Sequence, residues 1–202
     1  MNRFWILAAA VSCSFVGSAS SGAGNIETGA SKSIVCQACH GASGVSPNPE
    51  WPSLAGLGAG YIAQQLQLFK DGKRANPVMM PMTMSLSPDD MADLAAFFAS
   101  LPSPNLEADP SYWKAGEKLY RGGDASRAIP ACIACHGATG HGAEAAKFPS
   151  LHGQQSVYVS KQLHDYASGA RTTGLNNIMQ TIAKRLSDDD MRNVSAYVQG
   201  IR

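Results

Sequence analysis

The segment CIACH at residues 132–136 places two cysteines three positions apart, with a histidine directly after the second. The segment CQACH at residues 36–40 repeats this arrangement earlier in the chain. A Cys-x-x-Cys-His segment is typical of covalent c-type haem attachment. In that chemistry the two thiols bond to the porphyrin, and the adjacent histidine becomes a ligand of the iron. The two segments therefore predict two haem sites.

Two other chemistries compete for these segments. A thioredoxin-like pair needs Cys-x-x-Cys at the start of a helix that follows a strand. The residues around both segments are rich in Gly and Ala and contain no β-branched run, which argues against this interpretation. A zinc site needs four ligands, which the two segments together could supply. Zinc therefore stays open as the non-redox alternative.

The first residues have the layout of a secretory signal peptide, which we predict over residues 1–23. Arg3 precedes an apolar stretch and then small residues, and cleavage after Ala19 or Ala23 fits this pattern. An ordinary N-terminal helix is the alternative. Removal of the segment takes Cys13 with it and leaves four cysteines, all within the two Cys-x-x-Cys-His segments. We expect the mature chain in the periplasm, without a permanent membrane span.

The chain contains an internal repeat. Residues 51–56, WPSLAG, match residues 148–153, FPSLHG, and residues 86–91, LSPDDM, match residues 186–191, LSDDDM. The matching residues lie 96 to 100 positions apart. The repeat predicts that one module of about 90 residues occurs twice in the chain, which indicates two small domains.

The domain boundaries follow from the repeat and from composition. Residues 101–110, LPSPNLEADP, are rich in proline and polar residues, which is typical of a linker. We therefore predict an N-terminal domain over residues 24–100 and a C-terminal domain over residues 111–202.

Both domains are predicted to be helical, and no alternating strand pattern stands out. Ser87 and Ser187 are N-cap candidates that precede acidic residues. Each is followed by apolar residues at helix spacing, which predicts a final helix with one buried face. These apolar residues are Met91, Leu94, Ala95 and Phe98, then Met191, Val194, Tyr197 and Val198. The fold class is therefore all-α, and a bound macrocycle would enlarge two small cores.

The sixth iron ligand is predicted from the repeat. His40 is the only histidine of the first copy, so that domain cannot supply two histidines. Met179 stands seven residues before Leu186, and Met79 stands seven before Leu86. The sequence therefore favours Met79 and Met179, each of which would raise the reduction potential relative to a second histidine.

Other residues near the haem segments leave alternatives open. Met80, Met82 and Met84 compete with Met79, and packing around the haem edge is their other role. The second copy also contains three further histidines, which we expect on surface loops because their repeat partners are not histidine: His141, His152 and His164. Arg74 and Arg171 match each other and are predicted to pair with haem propionates, to remain solvated or to lie at helix ends.

The chain resembles the dihaem class I cytochromes c of the cytochrome c4 type. The resemblance rests on the export signal, two Cys-x-x-Cys-His domains, a Pro-Ser-Leu-x-Gly stretch, a late methionine and a final Leu-Ser helix. It implies two tandem class I cytochrome c domains, each wrapped around one haem c. The implied roles are covalent attachment at Cys36, Cys39, Cys132 and Cys135, axial pairs His40–Met79 and His136–Met179, and carbonyl acceptors for the histidines at Pro52 and Pro149. Haems that meet across the domain interface are also implied.

The expected function follows from the ligand set. A haem with histidine and methionine ligands has no open position for a substrate, so we predict electron transfer and not catalysis. The resemblance implies a shuttle between a respiratory donor, such as a quinol-oxidising complex, and a terminal oxidase. The alternative is an electron-transfer subunit of a larger dehydrogenase, such as a sulfide-oxidising flavocytochrome. A dihaem peroxidase would need one haem with a vacant face.

Charge adds an expectation about partners. Residues 24–105 carry four basic and six acidic side chains, and residues 106–202 carry eleven and nine. This asymmetry predicts docking to different redox proteins, although it is equally consistent with surface charge that steers nothing. Because no strongly basic region exists, nucleic acid is not an expected partner. The sequence leaves open a loose association with the membrane surface.

Overall fold

The computed structural model describes residues 24–201, so the predicted signal peptide with Cys13 lies outside the described residues. The first half contains helices α1 (Ile26–Lys32), α2 (Ile34–His40), α3 (Ala59–Lys70), α4 (Met79–Thr83) and α5 (Pro88–Ser100). The second half contains α6 (Trp113–Gly122), α7 (Ile133–His136), α8 (Ser156–Ser168), α9 (Ile178–Ala183) and α10 (Asp188–Gln199). Within the described residues there are only two isolated β-bridges and no strand. The predicted all-α fold is confirmed.

The final helix of each domain begins with the predicted cap. The Ser87 side chain accepts a hydrogen bond from the Asp90 N–H at 3.1 Å, and the Asp90 carboxylate accepts from the Ser87 N–H at 2.8 Å. Ser187 and Asp190 form the same reciprocal pair at 3.1 and 2.9 Å. This capping box satisfies backbone donors that have no partner inside the helix. Local chemistry therefore starts α5 and α10 at equivalent positions.

The first and last helices of each domain pack at a glycine. A Cβ atom on Gly29 of α1 would lie 2.0 Å from the Asp93 carbonyl oxygen of α5. A Cβ atom on Gly116 of α6 would lie 2.0 Å from the Asn193 carbonyl oxygen of α10. Only glycine permits backbones to approach this closely. The same close helix crossing therefore builds both domains.

Each domain has its own hydrophobic core, formed largely by the predicted stripes. The buried residues of the first core are Leu57, which precedes α3, Ile62 of α3, and Leu94, Ala95 and Phe98 of α5. The second core is larger and includes Met191, Val194, Tyr197 and Val198 of α10 with Tyr120 of α6. The predicted buried face of both final helices is confirmed. Partly buried cysteines pack against both cores, namely Cys36 and Cys132.

Polar side chains of the second domain bind backbone groups of the first. The Gly60 N–H in the first turn of α3 donates to the Glu144 carboxylate at 2.6 Å, and α3 has no side-chain cap of its own. Gln155 donates from its side chain to the Ser46 carbonyl oxygen at 2.9 Å. These bonds dock the two domains in one orientation. None of the helices within residues 24–201 has the length and apolarity needed to cross a lipid bilayer.

Candidate functional site

The histidines of the two Cys-x-x-Cys-His segments lie at the C-terminal ends of α2 and α7. Both are buried, with 7% of the surface of His40 and of His136 exposed. His40 Nδ1 lies 2.8 Å from the Pro52 carbonyl oxygen, and His136 Nδ1 lies 3.0 Å from that of Pro149. A carbonyl can only accept, so Nδ1 carries the proton and Nε2 keeps a free lone pair. Each imidazole is therefore held in the tautomer that a metal ligand requires.

Burial also determines the charge of these side chains. It lowers the pKa of His40 and of His136, although the bonds to the proline carbonyls act in the opposite direction. Both imidazoles are therefore neutral near pH 7 and can donate a lone pair to a metal. Because Nδ1 is engaged and the ring is enclosed, the lone pair of Nε2 has one fixed direction.

No disulfide joins the four cysteines of the two segments within the described residues. Burial raises the pKa of Cys36, and it raises the pKa of Cys132 to about 11. A redox-active Cys-x-x-Cys pair needs a depressed pKa, so these thiols do not have the electrostatics of a thioredoxin-like site. Within residues 24–201, no group of three or more His, Cys, Asp or Glu side chains converges in the way a metal ion such as zinc would require.

A cavity of about 1090 Å³ connects the two domains and contains both segments. This volume exceeds the ~300–1,000 Å³ of a typical pocket for one small ligand. The cavity walls include thiols, neutral imidazoles and thioethers from both domains, and they are otherwise mainly apolar. Apolar wall residues include Leu54, Leu57, Ile62, Leu66, Phe69, Leu94 and Phe98 of the first domain, and Leu119, Leu151, Val159, Leu163, Ile182, Leu186, Val194 and Val198 of the second. These residues fit two largely apolar macrocycles with iron at their centres.

The structure separates the competing methionines of the first domain. Met79 and Met82 lie on the cavity wall, whereas Met80 and Met84 do not. Met82 is 39% exposed and Met84 is 63% exposed, whereas Met79 is half-buried at the start of α4. The Asn76 side chain accepts a hydrogen bond from the Met79 N–H at 2.8 Å, which fixes this start. In the second domain Met179 of α9 lies on the cavity wall and packs against the core.

The three other histidines of the second domain do not line the cavity. The rings of His141 and His152 stack, with 4.4 Å between their centroids, and His152 Nδ1 donates to the Thr139 carbonyl oxygen at 2.9 Å. His164 Nδ1 donates to the Ser160 carbonyl oxygen at 2.8 Å. These positions agree with the loop and surface roles expected from the repeat.

Two arginines meet where the two halves of the cavity join. The Arg171 guanidinium donates to Gln162 of its own domain at 2.8 Å, and across the interface to Tyr61 at 3.0 Å and Gln65 at 2.9 Å. Arg74 makes the mirror-image set of bonds, to Gln65 at 2.7 Å, Tyr158 at 2.9 Å and Gln162 at 2.8 Å. Arg171 is only 6% exposed, so the solvated role considered for it from the sequence is wrong.

The hydrogen bonds of these arginines go to neutral groups, and within residues 24–201 neither arginine forms an ion pair with a carboxylate. Burial alone would raise the pKa of Tyr61, but the charges of Arg171 and Arg74 lower it. The junction is therefore strongly positive.

Sequence reasoning missed the tyrosines and glutamines as functional residues. Their signal was present, since Tyr61 and Gln65 recur 97 positions later, but the repeat does not show that they bind the opposite domain.

Comparison with known proteins identifies the family. The cytochrome c family model matches residues 30–102 and again residues 114–202. Cytochrome c4 of Pseudomonas aeruginosa is 46% identical over 180 residues, which cover 89% of this chain and 90% of that protein. A protein of Stutzerimonas stutzeri described as a thiosulfate dehydrogenase electron acceptor is 36% identical, over 83% of this chain and 79% of its own length.

A solved structure agrees with the sequence comparison. The crystal structure of reduced recombinant cytochrome c4 from Pseudomonas stutzeri superimposes with a TM-score of 0.86 at 42% identity. The match covers 89% of this chain and 100% of that structure. Two family matches, one around each Cys-x-x-Cys-His segment, account for two haem groups. The chain therefore belongs to the cytochrome c family, and within it to the cytochromes c4, electron-transfer proteins with two covalently attached haem c groups.

Proposed function

We propose that this protein carries electrons through the periplasm, from a respiratory donor such as a quinol-oxidising complex to a terminal oxidase or another acceptor. The observation that carries this proposal is the cavity that spans both domains, with a neutral, oriented histidine in each half. Two redox sites that share one cavity can exchange electrons within the protein. A donor can then reduce the haem of one domain while an acceptor oxidises the haem of the other.

The proposed ligands are those predicted from the repeat and the resemblance. Cys36 and Cys39 hold the first haem, and Cys132 and Cys135 hold the second. The axial pairs are His40 with Met79 and His136 with Met179. When bound, each haem takes up or releases one electron at its iron. The chain orients the histidine through a proline carbonyl, supplies a thioether, and surrounds the group with apolar side chains that exclude water.

The two arginines complete the proposed site. A haem c carries two propionate carboxylates, and Arg74 and Arg171 lie at the junction without a carboxylate partner among the described residues. We assign them as counter-charges for propionates at the domain interface. A buried cation is stable only when it is paired or fully hydrogen-bonded, and such a pairing would supply the missing negative charge.

A second role is favoured by one comparison. The relative from Stutzerimonas stutzeri described as a thiosulfate dehydrogenase electron acceptor covers most of this chain. An electron-transfer partner of a sulfur-compound dehydrogenase is therefore the second candidate, in place of a free shuttle. The sequence suggested the same kind of role, as an electron-transfer subunit of a sulfide-oxidising flavocytochrome.

The proposal is tested on protein exported and matured in a host that attaches haem c. Intact mass should equal the mature chain plus two haem groups, and a redox titration should show two reversible one-electron steps. Membranes that contain a quinol-oxidising complex should reduce the protein, and membranes that contain a terminal oxidase should reoxidise it. Reduction only by a sulfur-compound dehydrogenase would favour the second candidate. Protein without covalently bound haem would contradict both.

The first-domain methionine is tested by paired substitutions. Met79→Ala should abolish the methionine-sulfur absorption band of one haem, because the proposed axial ligand is removed. Met82→Ala should leave the band intact, since Met82 then only packs beside the haem. Absorption spectra of both oxidised variants, each loaded with two haems, measure the difference. The reverse result would transfer the assignment to Met82.

A further inference from the structure

A glutamine of the second domain binds the peptide group that orients the histidine of the first. The Pro52 carbonyl oxygen accepts the hydrogen bond from His40 Nδ1 at 2.8 Å. The N–H of the same peptide unit belongs to Ser53, and it donates to Gln154 Oε1 at 2.8 Å. Gln154 Nε2 donates in return to the Ser53 carbonyl oxygen at 2.9 Å. The side-chain amide therefore binds both the N–H and the carbonyl oxygen of Ser53, the residue directly after Pro52.

This arrangement forms a chain of hydrogen bonds from the second domain to His40. A peptide group whose N–H donates a hydrogen bond becomes more polarised, and its carbonyl oxygen becomes a stronger acceptor. Gln154 is 5% exposed and Ser53 is fully buried, so water does not compete for these bonds. The low local dielectric strengthens each bond in the chain. Gln154 thus acts on His40 through the Pro52–Ser53 peptide without contacting the imidazole.

Among the described residues, His136 has no equivalent chain of hydrogen bonds from the opposite domain. The repeat position that matches Gln154 is Leu57, an apolar residue buried in the core of the first domain. Within the described residues, no side-chain amide of the first domain binds the Pro149–Ser150 peptide, whose carbonyl oxygen lies 3.0 Å from His136 Nδ1. The two histidines have the same kind of carbonyl partner, but among the described residues only the peptide unit that binds His40 accepts a side chain of the opposite domain at its N–H.

We propose that Gln154 is a positioning residue that lowers the reduction potential of the first haem relative to the second. This inference rests on the proposed role of His40 as an axial ligand. A stronger bond at Nδ1 makes the imidazole a stronger donor at Nε2, and a stronger donor stabilises the oxidised iron. Docking of the second domain then gives the two haems unequal reduction potentials. A single electron therefore resides preferentially on the second haem.

The test compares Gln154→Met with the parent protein. Methionine has a similar length but cannot bind the Ser53 N–H or carbonyl. The potential of the first haem should rise, and the equilibrium for sharing one electron should move towards it by roughly 1.2- to 1.7-fold, as a cooperative gain of ~10–30% on one hydrogen bond implies. The potential of the second haem should stay unchanged. Spectroelectrochemistry measures both potentials, and haem methyl NMR signals assign each to its domain.

Gln155→Met is the matched control. Gln155 also crosses the interface, but its side chain binds the Ser46 carbonyl oxygen and not the Pro52–Ser53 peptide. It should leave both potentials unchanged. A direct readout is the Nδ1 proton of His40 in the reduced protein, whose NMR signal should move upfield in Gln154→Met only. Gln154→Glu keeps an acceptor for the Ser53 N–H. In this variant the potential of the first haem should equal the parent value or lie below it.

The outcomes separate this inference from the proposed function. If Gln154→Met retains two haems and both parent potentials, the inference is wrong and the function stands. Equal shifts in Gln154→Met and Gln155→Met would show general loosening of the interface, which also overturns it. Two other results would instead overturn the proposed ligand set. One is a parent protein without two covalent haems, and the other is a His40→Ala variant that keeps both axial histidine signals.

Discussion

Replacing Met179 with alanine is expected to convert one of the two haems to a high-spin state and to remove about half of the methionine-sulfur absorption band. Met179 lies on the cavity wall in α9 and packs against the second core. Alanine is too short to reach the iron, and among residues 24–201 no other methionine of the second domain lines the cavity. Loss of the thioether should also lower the reduction potential of that haem, because methionine ligation raises it.

Absorption and electron paramagnetic resonance spectra of the oxidised variant measure this change. Met84→Ala is the control, because Met84 is 63% exposed and lies away from the cavity. That variant should keep both low-spin haems and both potentials. If Met179→Ala keeps the full sulfur band while it carries two haems, Met179 is not the ligand.

Replacing Arg171 with methionine is expected to destabilise the docked state of the two domains by about 2–4 kcal/mol. The substitution removes two bonds across the interface, to Tyr61 and Gln65. Gln65 keeps its bond from Arg74, whereas the Tyr61 hydroxyl loses its bond from Arg171. A hydrogen bond to a charged group contributes about 1.5–3 kcal/mol, and an unsatisfied buried partner adds its own cost. Since the arginine is buried, solvent screening does not reduce the effect much.

Urea unfolding, followed separately in each domain, measures this loss. The parent should unfold in one cooperative transition, whereas Arg171→Met should show two, because the domains then unfold independently. Arg192→Met is the matched control, since Arg192 is half-exposed and its partners, Asp189 and the Tyr112 ring, both belong to its own domain. It should unfold like the parent. A single transition at the parent midpoint in Arg171→Met would show that the arginine does not hold the domains together.

Several features of the site were predictable because they are local. A Cys-x-x-Cys-His segment puts thiols and imidazole within one helical turn, so the sequence alone places them together at His40 and at His136. Capping at Ser87 and Ser187 depends on groups three residues apart, and it appears as predicted. The repeat also selected Met79 and Met179, and the structure puts both on the cavity wall.

Other features could not be predicted because they join residues about 100 positions apart. The repeat showed Arg74 and Arg171 as equivalent residues, but it gave no information on which domain their side chains contact. Gln154 has no polar counterpart in the first domain, so no repeat pattern drew attention to it. The signal peptide, the linker and the domain boundaries stay predictions.

Sequence alone determined the chemistry of this protein: two haem attachment segments, two helical modules, and one candidate thioether in the second. These follow from spacing along the chain, because a helical turn brings near neighbours together whatever the rest of the fold does. Only the tertiary structure decided how the modules are coupled. The docking orientation places Arg74 against Tyr158, Arg171 against Tyr61, and Gln154 against Ser53. Hydrogen bonds act only at short range, so these partners exist only once two folded surfaces have met.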